Sequence, residues 1–250
     1  MIFSYFDALS GCPLLVDLVG HVRSPKLKEL YPSGIGYRTY NMYLHLLSMK
    51  REEMLKYADA IGYRDEAEKS NNLFEFAIQV KDVRDLLCEI FSFFLLENVA
   101  WFEDFQGYLV FEEVDGVNKN VGFIQSENYE NLRLYILQMN YRELDQDTPL
   151  TFASPEAREK WEKAMAFVDR GAPNEMDVKR MDIGNMVSKL CSLGNGYTLL
   201  NISDLTVFQL YDQFSQAGYL RSSNLSESVF SNHGGDKFNF ADWLNPVNQF

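Results

Sequence analysis

The chain has 250 residues, which allows one large domain or two small ones. Hydrophobic residues make up 46% of it and aromatic residues 14%, enough apolar surface to bury a core, so the composition excludes an intrinsically disordered chain. The formal charge of −13 repels phosphate backbones and excludes sequence-independent binding to nucleic acid.

The first 62 residues predict an irregular segment followed by two helices. Residues 1–23 are apolar without a clear period, which fits a short strand pair or an extended arm, and two prolines bracket a turn-like unit at 24–32. From Tyr37 onwards, apolar side chains recur every three or four residues and predict a helix. A second helix is predicted over 51–60, and Gly62 is expected to end it.

Two further helices are predicted before the hydrophobic period changes. The first is short and covers 71–78, and the second covers 82–98. The second helix carries a stripe of core residues at helical spacing: Val83, Leu86, Leu87, Ile90, Phe94 and Leu95.

Residues 99–125 are rich in aromatic and β-branched side chains, which favour strands. Asp115-Gly116 lies between two such runs and is a strong hairpin signal, because glycine readily adopts the positive φ that a tight turn needs. The pattern predicts three antiparallel strands, near 99–105, 107–114 and 117–125.

The remainder of the chain predicts helices alone. One runs from Ser126 to about Asn140, another opens at Ser154-Pro155-Glu156, and a third covers 177–193. A further helix is capped by Ser203-Asp204 and is expected to stop at Gly218, with a short helix added at 222–232. The aromatic tail at 238–244 is expected to dock onto the protein.

These elements predict an α+β fold that is mostly α-helical, with a small three-stranded antiparallel sheet. The loop at 144–153 is the best candidate boundary within the chain. It would separate a mixed α+β part at 1–145 from an all-helical part at 150–250, and one continuous domain is left open as the alternative.

The cysteines and the apolar runs indicate the kind of cellular compartment in which the protein is expected. Cys12, Cys88 and Cys191 are odd in number and widely spaced, which fits neither a disulfide framework nor a thiolate zinc site and indicates a reduced compartment. The N-terminus lacks the pattern of a signal peptide. The most apolar run, at 90–96, is far shorter than the roughly 20 residues of a membrane span.

No sequence motif predicts an enzyme, a cofactor or a metal site. The three histidines, His21, His45 and His233, are not spaced as metal ligands, and we expect structural or surface roles for them. Neither a nucleophile elbow nor a phosphate-binding loop occurs. The acidic clusters at 112–115 and 145–147 are typical of solvated turns, and the second lacks the glycine and distal glutamate of a calcium loop.

Two aromatic stripes are candidate protein-binding surfaces, because tyrosine combines apolar area with a hydrogen-bonding tip and is enriched at interfaces. Packing in the protein's own core is the alternative for both stripes. The candidate interaction residues are the members of the two stripes and one tryptophan of the tail: Tyr37, Tyr40, Tyr43, Phe208, Tyr211, Phe214 and Trp243.

Four segments together carry a family resemblance. They are residues 24–30 (SPKLKEL), 36–44 (GYRTYNMYL), 205–214 (LTVFQLYDQF) and 238–244 (FNFADWL). In this order they resemble proteins of the tail-assembly module of long-tailed bacteriophages of Gram-positive hosts, which are described as similar to tail assembly chaperones. Phe208 stands where the pattern has tyrosine, and residues 231–235 depart from it.

The resemblance implies a non-enzymatic tail-assembly factor in the host cytoplasm, which binds phage tail proteins such as the tape measure or the tube. Such a chaperone would offer apolar grooves to the long, largely helical tape measure, and charge for solubility. It implies neither a membrane nor a nucleic acid as partner, and self-association is left open.

Two alternatives remain beside this reading. The first is a minor structural protein of the virion, which predicts a symmetric self-interface. The second is an acidic inhibitor of a host defence protein, which needs carboxylates spaced like phosphates along one face, whereas the acids here are scattered among lysines and arginines.

Overall fold

The computed structural model describes residues 2–142 and 182–233. The described chain is mostly helical, with one three-stranded and one two-stranded antiparallel sheet, which confirms the predicted fold class. The chain divides into two compact units, one formed by residues 1–144 with 203–250 and the other by residues 145–202. The predicted division within 144–153 falls on residues outside the described ranges and stays a prediction.

The N-terminal segment begins with helix α1 (Tyr5–Leu9) and continues into strands β1 (Leu14–Val16) and β2 (Gly20–Val22), which pair as a hairpin. The strand pair was one of the two predicted forms of this segment, while α1 is too short to show a period in the sequence. A 3-10 turn follows at Leu27–Leu30, where the prolines predicted a turn-like unit.

Five helices come next in the chain: α2 (Tyr37–Ser48), α3 (Arg51–Ile61), α4 (Arg64–Glu68), α5 (Leu73–Gln79) and α6 (Lys81–Phe94). Gly62 ends α3 in the left-handed conformation, as predicted. The short α4 was missed, because five residues show no hydrophobic period.

Helix α6 ends at Phe94, so the predicted end at residue 98 is wrong. Leu95 takes an extended conformation and forms a bridge with Val22, and the Leu96 N–H donates to the carbonyl of His21 at 3.0 Å. The chain leaves the helix here because backbone pairing with β2 competes with the next helical turn.

The three-stranded sheet consists of β3 (Asn98–Phe102), β4 (Gly107–Val114) and β5 (Val117–Ile124), in the order β3-β4-β5. Asp115 and Gly116 both have positive φ at the tip of the β4–β5 hairpin, as the sequence predicted. Helix α7 (Ser126–Met139) follows the sheet.

Aromatic rings from four elements fill the core between the helices and the sheet. The rings of Phe91 and Tyr108 lie 5.1 Å apart edge to face, and Phe74 lies 5.3 Å from Tyr129 and 5.9 Å from Tyr108. All four side chains are buried, so α5, α6, β4 and α7 share one core.

The long helix α9 (Val207–His233) begins against the N-terminal segment. The Val207 N–H donates to the Pro25 carbonyl at 2.9 Å, and the Phe208 N–H donates to Ser24 Oγ at 3.1 Å. These bonds satisfy amide groups that a helix N-terminus leaves free. Two of the segments that carry the family resemblance, 24–30 and 205–214, therefore pack against each other.

Gly218 does not end this helix, so the predicted stop is wrong, and the predicted short helix at 222–232 is part of α9. A β-carbon at Gly218 would meet no atom within 4 Å, and its φ is not positive. Glycine favours a helix end only where the chain needs the left-handed conformation, and here it tolerates an ordinary helical one.

In the second unit the structure describes helix α8 (Ile183–Ser192) and the segment that follows it. The Asp182 carboxylate caps α8 by accepting from the N–H of Gly184 at 2.9 Å, and Met186 and Leu190 are buried. The helix predicted at 177–193 is confirmed over this range. The helix predicted from Ser154 and the docking of the tail at 238–244 lie outside the described residues.

Candidate protein-binding groove

A groove of about 470 Å³ opens between helices α2, α3 and α6 on the first unit. Its lining is mostly apolar. It comes from α2 and the residue after it, from α3, and from one residue of α6. The residues that form this surface, called the methionine groove below, are Met42, His45, Leu46, Met49, Glu53, Lys56, Tyr57 and Leu86.

Helical periodicity places the groove beside the buried face of α2. Tyr43, Leu44 and Leu47 point into the core, whereas Met42 is 44% exposed and His45 is exposed as well. Leu46 lies between the two faces and is buried at 4% exposure, so it forms an apolar floor. The groove is thus built on a rigid core and is open to solvent above.

The side chains of the groove suit an apolar partner whose shape is not fixed in advance. Methionine is unbranched and polarisable, so Met42 and Met49 can adapt to different side chains. Glu53, Lys56 and His45 supply charged and polar groups at the rim. An amphipathic helix that places apolar residues at i, i+3/i+4 and i+7 presents the complementary surface.

Tyr57 contributes a half-buried tyrosine hydroxyl to the groove. Burial raises its pKa above the ordinary value, and the charge of Asp82 raises the pKa further. The hydroxyl is protonated at neutral pH, as an ordinary tyrosine hydroxyl is, and can both donate and accept a hydrogen bond.

The tyrosine stripe predicted on α2 lies next to the groove and faces the core. Tyr40 and Tyr43 are buried at 2% and 7% exposure, and Tyr37 is half-buried. The Tyr40 hydroxyl donates to Asn140 Oδ1 at 3.0 Å, and the ring of Tyr43 lies 6.1 Å from that of Phe93. These contacts account for Tyr40 and Tyr43 as core residues, and their role in protein binding stays a prediction.

The second predicted stripe lies on α9. Phe208 is fully buried, with its ring 5.5 Å from that of Tyr141, while Tyr211 and Phe214 are half-buried. Tyr211 stacks on Tyr141 at 5.1 Å, with the two planes only 11° apart. Trp243 lies outside the described residues.

The structure brings the two stripes together at the end of α7. Burial raises the pKa of Tyr40 well above its ordinary value, and the neighbouring Tyr211 raises the pKa further. Tyr40 of α2 bonds to Asn140, and Tyr211 of α9 stacks on the next residue, Tyr141, so the two stripes meet in one cluster around the end of α7. None of its members lines the methionine groove.

Sequence reasoning missed the groove residues Met42, Met49, Lys56 and Leu86 as binding candidates. A signal was present in the sequence, since Met42 and Met49 are seven residues apart, which is the spacing of one helical face. In the structure α2 ends at Ser48, and Met49 is a half-buried residue just beyond it. Methionines at such a spacing indicate an adaptable surface.

The histidines and acids of the described ranges form no group of three or more that could hold a metal ion. His21 instead pairs with Glu97, and His45 belongs to the rim of the groove. Within residues 2–142 and 182–233, no helix is both long enough and apolar enough to cross a membrane.

Comparison with known proteins shows that residues 173–248 match the family model of the YomV second domain. The described part of this region comprises α8, the connecting segment and α9. No curated protein and no solved structure matches the chain. The YomV second domain is a phage-derived family, and the similarity indicates that this chain is a phage protein.

Proposed function

We propose that the chain is a non-enzymatic bacteriophage tail-assembly factor, which acts in the host cytoplasm and binds tail proteins such as the tape measure. The methionine groove carries this proposal, because it is an adaptable apolar surface on a folded core. The similarity to a phage-derived family supports the phage setting.

The physical task of such a factor fits the properties of this chain. A tape measure is long, largely helical and apolar, so its helices need a temporary apolar partner before the tube forms around them. The groove offers that partner, with Leu46 and Leu86 as fixed apolar contacts and Met42 and Met49 as adaptable ones. The charge of −13 keeps the complex soluble through repulsion between copies.

A charge placed in the groove tests the proposal directly. Met42→Glu changes a residue that is 44% exposed, so the fold should survive while the groove loses its apolar character. The tagged full chain is used to capture proteins from infected cells, and the captured proteins are identified by mass spectrometry. We expect the wild type to recover the tape measure or the tube protein, and Met42→Glu to lose it.

Leu225→Glu is the matched control, because Leu225 is a helical residue that is 66% exposed and lies outside the groove. It should capture the same tail proteins as the wild type. Recovery of host enzymes alone, or equal capture by wild type and Met42→Glu, would contradict the proposal. Mass spectrometry of purified phage particles separates an assembly factor, which is absent from them, from a minor virion protein, which is present.

A further inference from the structure

The three-stranded sheet has a second apolar surface, on the face opposite to the core. Tyr108 and Val110 of β4 point inwards and are fully buried. Leu109 and Phe111 alternate with them, and register pairs Leu109 with Phe123 of β5. The members of this surface, called the phenylalanine face below, are Phe102, Phe105, Leu109, Phe111 and Phe123.

Contacts between the rings hold part of this face in a fixed arrangement. Phe102 and Phe105 stack with their ring centroids 5.3 Å apart, and Phe105 meets Phe123 edge to face at 5.7 Å. Phe105 is 56% exposed and Phe102 is 38% exposed, although both side chains are large and apolar. A contiguous, ordered and exposed group of aromatic rings is typical of a binding surface.

The phenylalanine face shares no residue with the methionine groove, which lies on α2, α3 and α6. It belongs to β3, β4, β5 and the 3-10 turn at Glu103–Phe105. It is therefore a separate surface, and its use does not depend on what the groove binds.

Acidic residues lie at both ends of the phenylalanine face, in the turn after β3 and at the far end of the β4–β5 hairpin. Asp104 precedes Phe105 in the turn, Glu113 follows Phe111 on the same side of β4, and Asp115 lies at the hairpin tip. Glu103 already accepts from Trp101 and Arg84, so its charge is partly balanced. Lys119 is the cation of the hairpin, and register pairs it with Glu112 on the opposite side of the sheet.

The negative charge of these acidic residues indicates which kind of partner the phenylalanine face can bind. A second copy of the chain would bring the same acids together, and like charges across an interface are costly. A partner with lysines or arginines beside its apolar residues would instead pair with Asp104 and Glu113. Its cations could also lie over the exposed ring of Phe105, where a cation–π contact adds attraction.

We propose that the phenylalanine face binds a basic amphipathic helix of a partner protein. The apolar side chains of that helix pack on Phe102, Phe105 and Phe123, and its lysines or arginines reach the acidic rim. The proposal goes beyond the function proposed above, because it assigns a second surface and a partner of defined charge.

The test uses the full chain and a fluorescent synthetic peptide of leucine and lysine, amphipathic as a helix and about four turns long. Binding is followed by fluorescence anisotropy. The variant Phe102→Ser/Phe105→Ser removes the two exposed rings and leaves every charge in place. We expect it to weaken peptide binding by about tenfold or more, and circular dichroism reports whether it remains folded.

Two controls separate this surface from general attraction to an acidic protein. Phe6→Ser removes a phenylalanine that is 75% exposed on α1, outside the face, and should leave binding unchanged. Asp104→Asn/Glu113→Gln keeps the rings and lowers the rim charge, so binding should weaken and lose part of its dependence on salt. A peptide in which glutamate replaces lysine should not bind.

Equal binding of the peptide by the wild type and by the folded Phe102→Ser/Phe105→Ser variant would overturn the proposal. Equal binding of the glutamate peptide would do the same. A wild type that sediments as a dimer, and becomes monomeric only when the two phenylalanines are replaced, would assign the face to a second copy instead.

Discussion

The Nδ1 atom of His21 lies 2.6 Å from Oε1 of Glu97. This contact links the N-terminal hairpin to the segment between α6 and β3. The same carboxylate accepts from the backbone N–H of His21, with Oε2 at 3.0 Å. Glu97 is buried at 5% exposure. Gly20 leaves room for it, since a β-carbon there would stand 2.8 Å from Oε2.

Removing this carboxylate should destabilise the protein. Glu97→Ala leaves the partly buried His21 amide without its acceptor, which costs about 1 kcal/mol or more of unfolding free energy. Glu97→Gln keeps an acceptor oxygen and should cost less. Urea denaturation followed by circular dichroism measures both values. If Glu97→Ala were as stable as the wild type, the pair would not hold the hairpin in place.

Gly218 tests whether α9 continues through residue 218, and Gly62, which ends α3, is the matched control. Gly218→Ala should stabilise the protein by about 0.5–1 kcal/mol, because alanine favours an ordinary helical position and the added β-carbon meets no neighbour. Gly62→Ala should destabilise it, since φ there is +82°. Thermal unfolding measures both. Destabilisation by Gly218→Ala would indicate that the helix stops at residue 218 after all.

The helices and the sheet were predictable wherever a local pattern decides the structure. The Asp115-Gly116 turn is such a pattern and occurs as predicted. Of the stripe predicted on α6, four residues are buried on the helix, whereas Leu86 is half-buried in the groove and Leu95 lies just beyond the helix end. The end of α6 was not predictable, because Leu95 leaves the helix to pair with Val22, which is more than 70 positions away. The local sequence around Leu95 does not indicate that pairing with a distant strand replaces the next helical turn.

The binding surfaces were less predictable than the fold, since helical spacing alone does not say which apolar side chains stay exposed. The Tyr40 and Phe208 stripes have the spacing of a buried face, and both residues are buried. Phe105 has no periodic signal, and its exposure depends on the turn that ends β3. Such a surface becomes visible only when register and burial are known.

The buried contact between Tyr40 and Asn140 should couple α2 to the end of α7. Asn140 accepts from the Tyr40 hydroxyl and donates from Nδ2 to the Ile136 carbonyl at 2.7 Å. Asn140→Ala should therefore cost about 1–3 kcal/mol, because the buried hydroxyl loses its partner. In the Tyr40→Phe background the same change should cost less, since no hydroxyl remains to be satisfied. Additive losses in this double-mutant cycle would show that the two side chains do not interact.

Alkaline pH should destabilise the fold through its buried tyrosines. Burial raises the pKa of Tyr40, Tyr108 and Tyr129 in the folded chain above the ordinary value of 10.0. Above pH 10 the unfolded chain releases protons that the folded chain retains. The contribution of these tyrosines to the free energy of unfolding is therefore fully present below pH 10 and is lost as the pH rises further.

The loss from each of these tyrosines should begin near pH 10 and should approach about 1.4 kcal/mol per pH unit only well above that value. Urea denaturation between about pH 9 and about pH 11 measures the slope. Tyr129→Phe keeps the ring in the core and removes one ionisable group. The unfolding free energy of this variant should therefore fall less steeply with pH, by the amount that one tyrosine contributes. Equal slopes for the wild type and Tyr129→Phe would show that Tyr129 ionises as readily in the folded protein as in the unfolded chain.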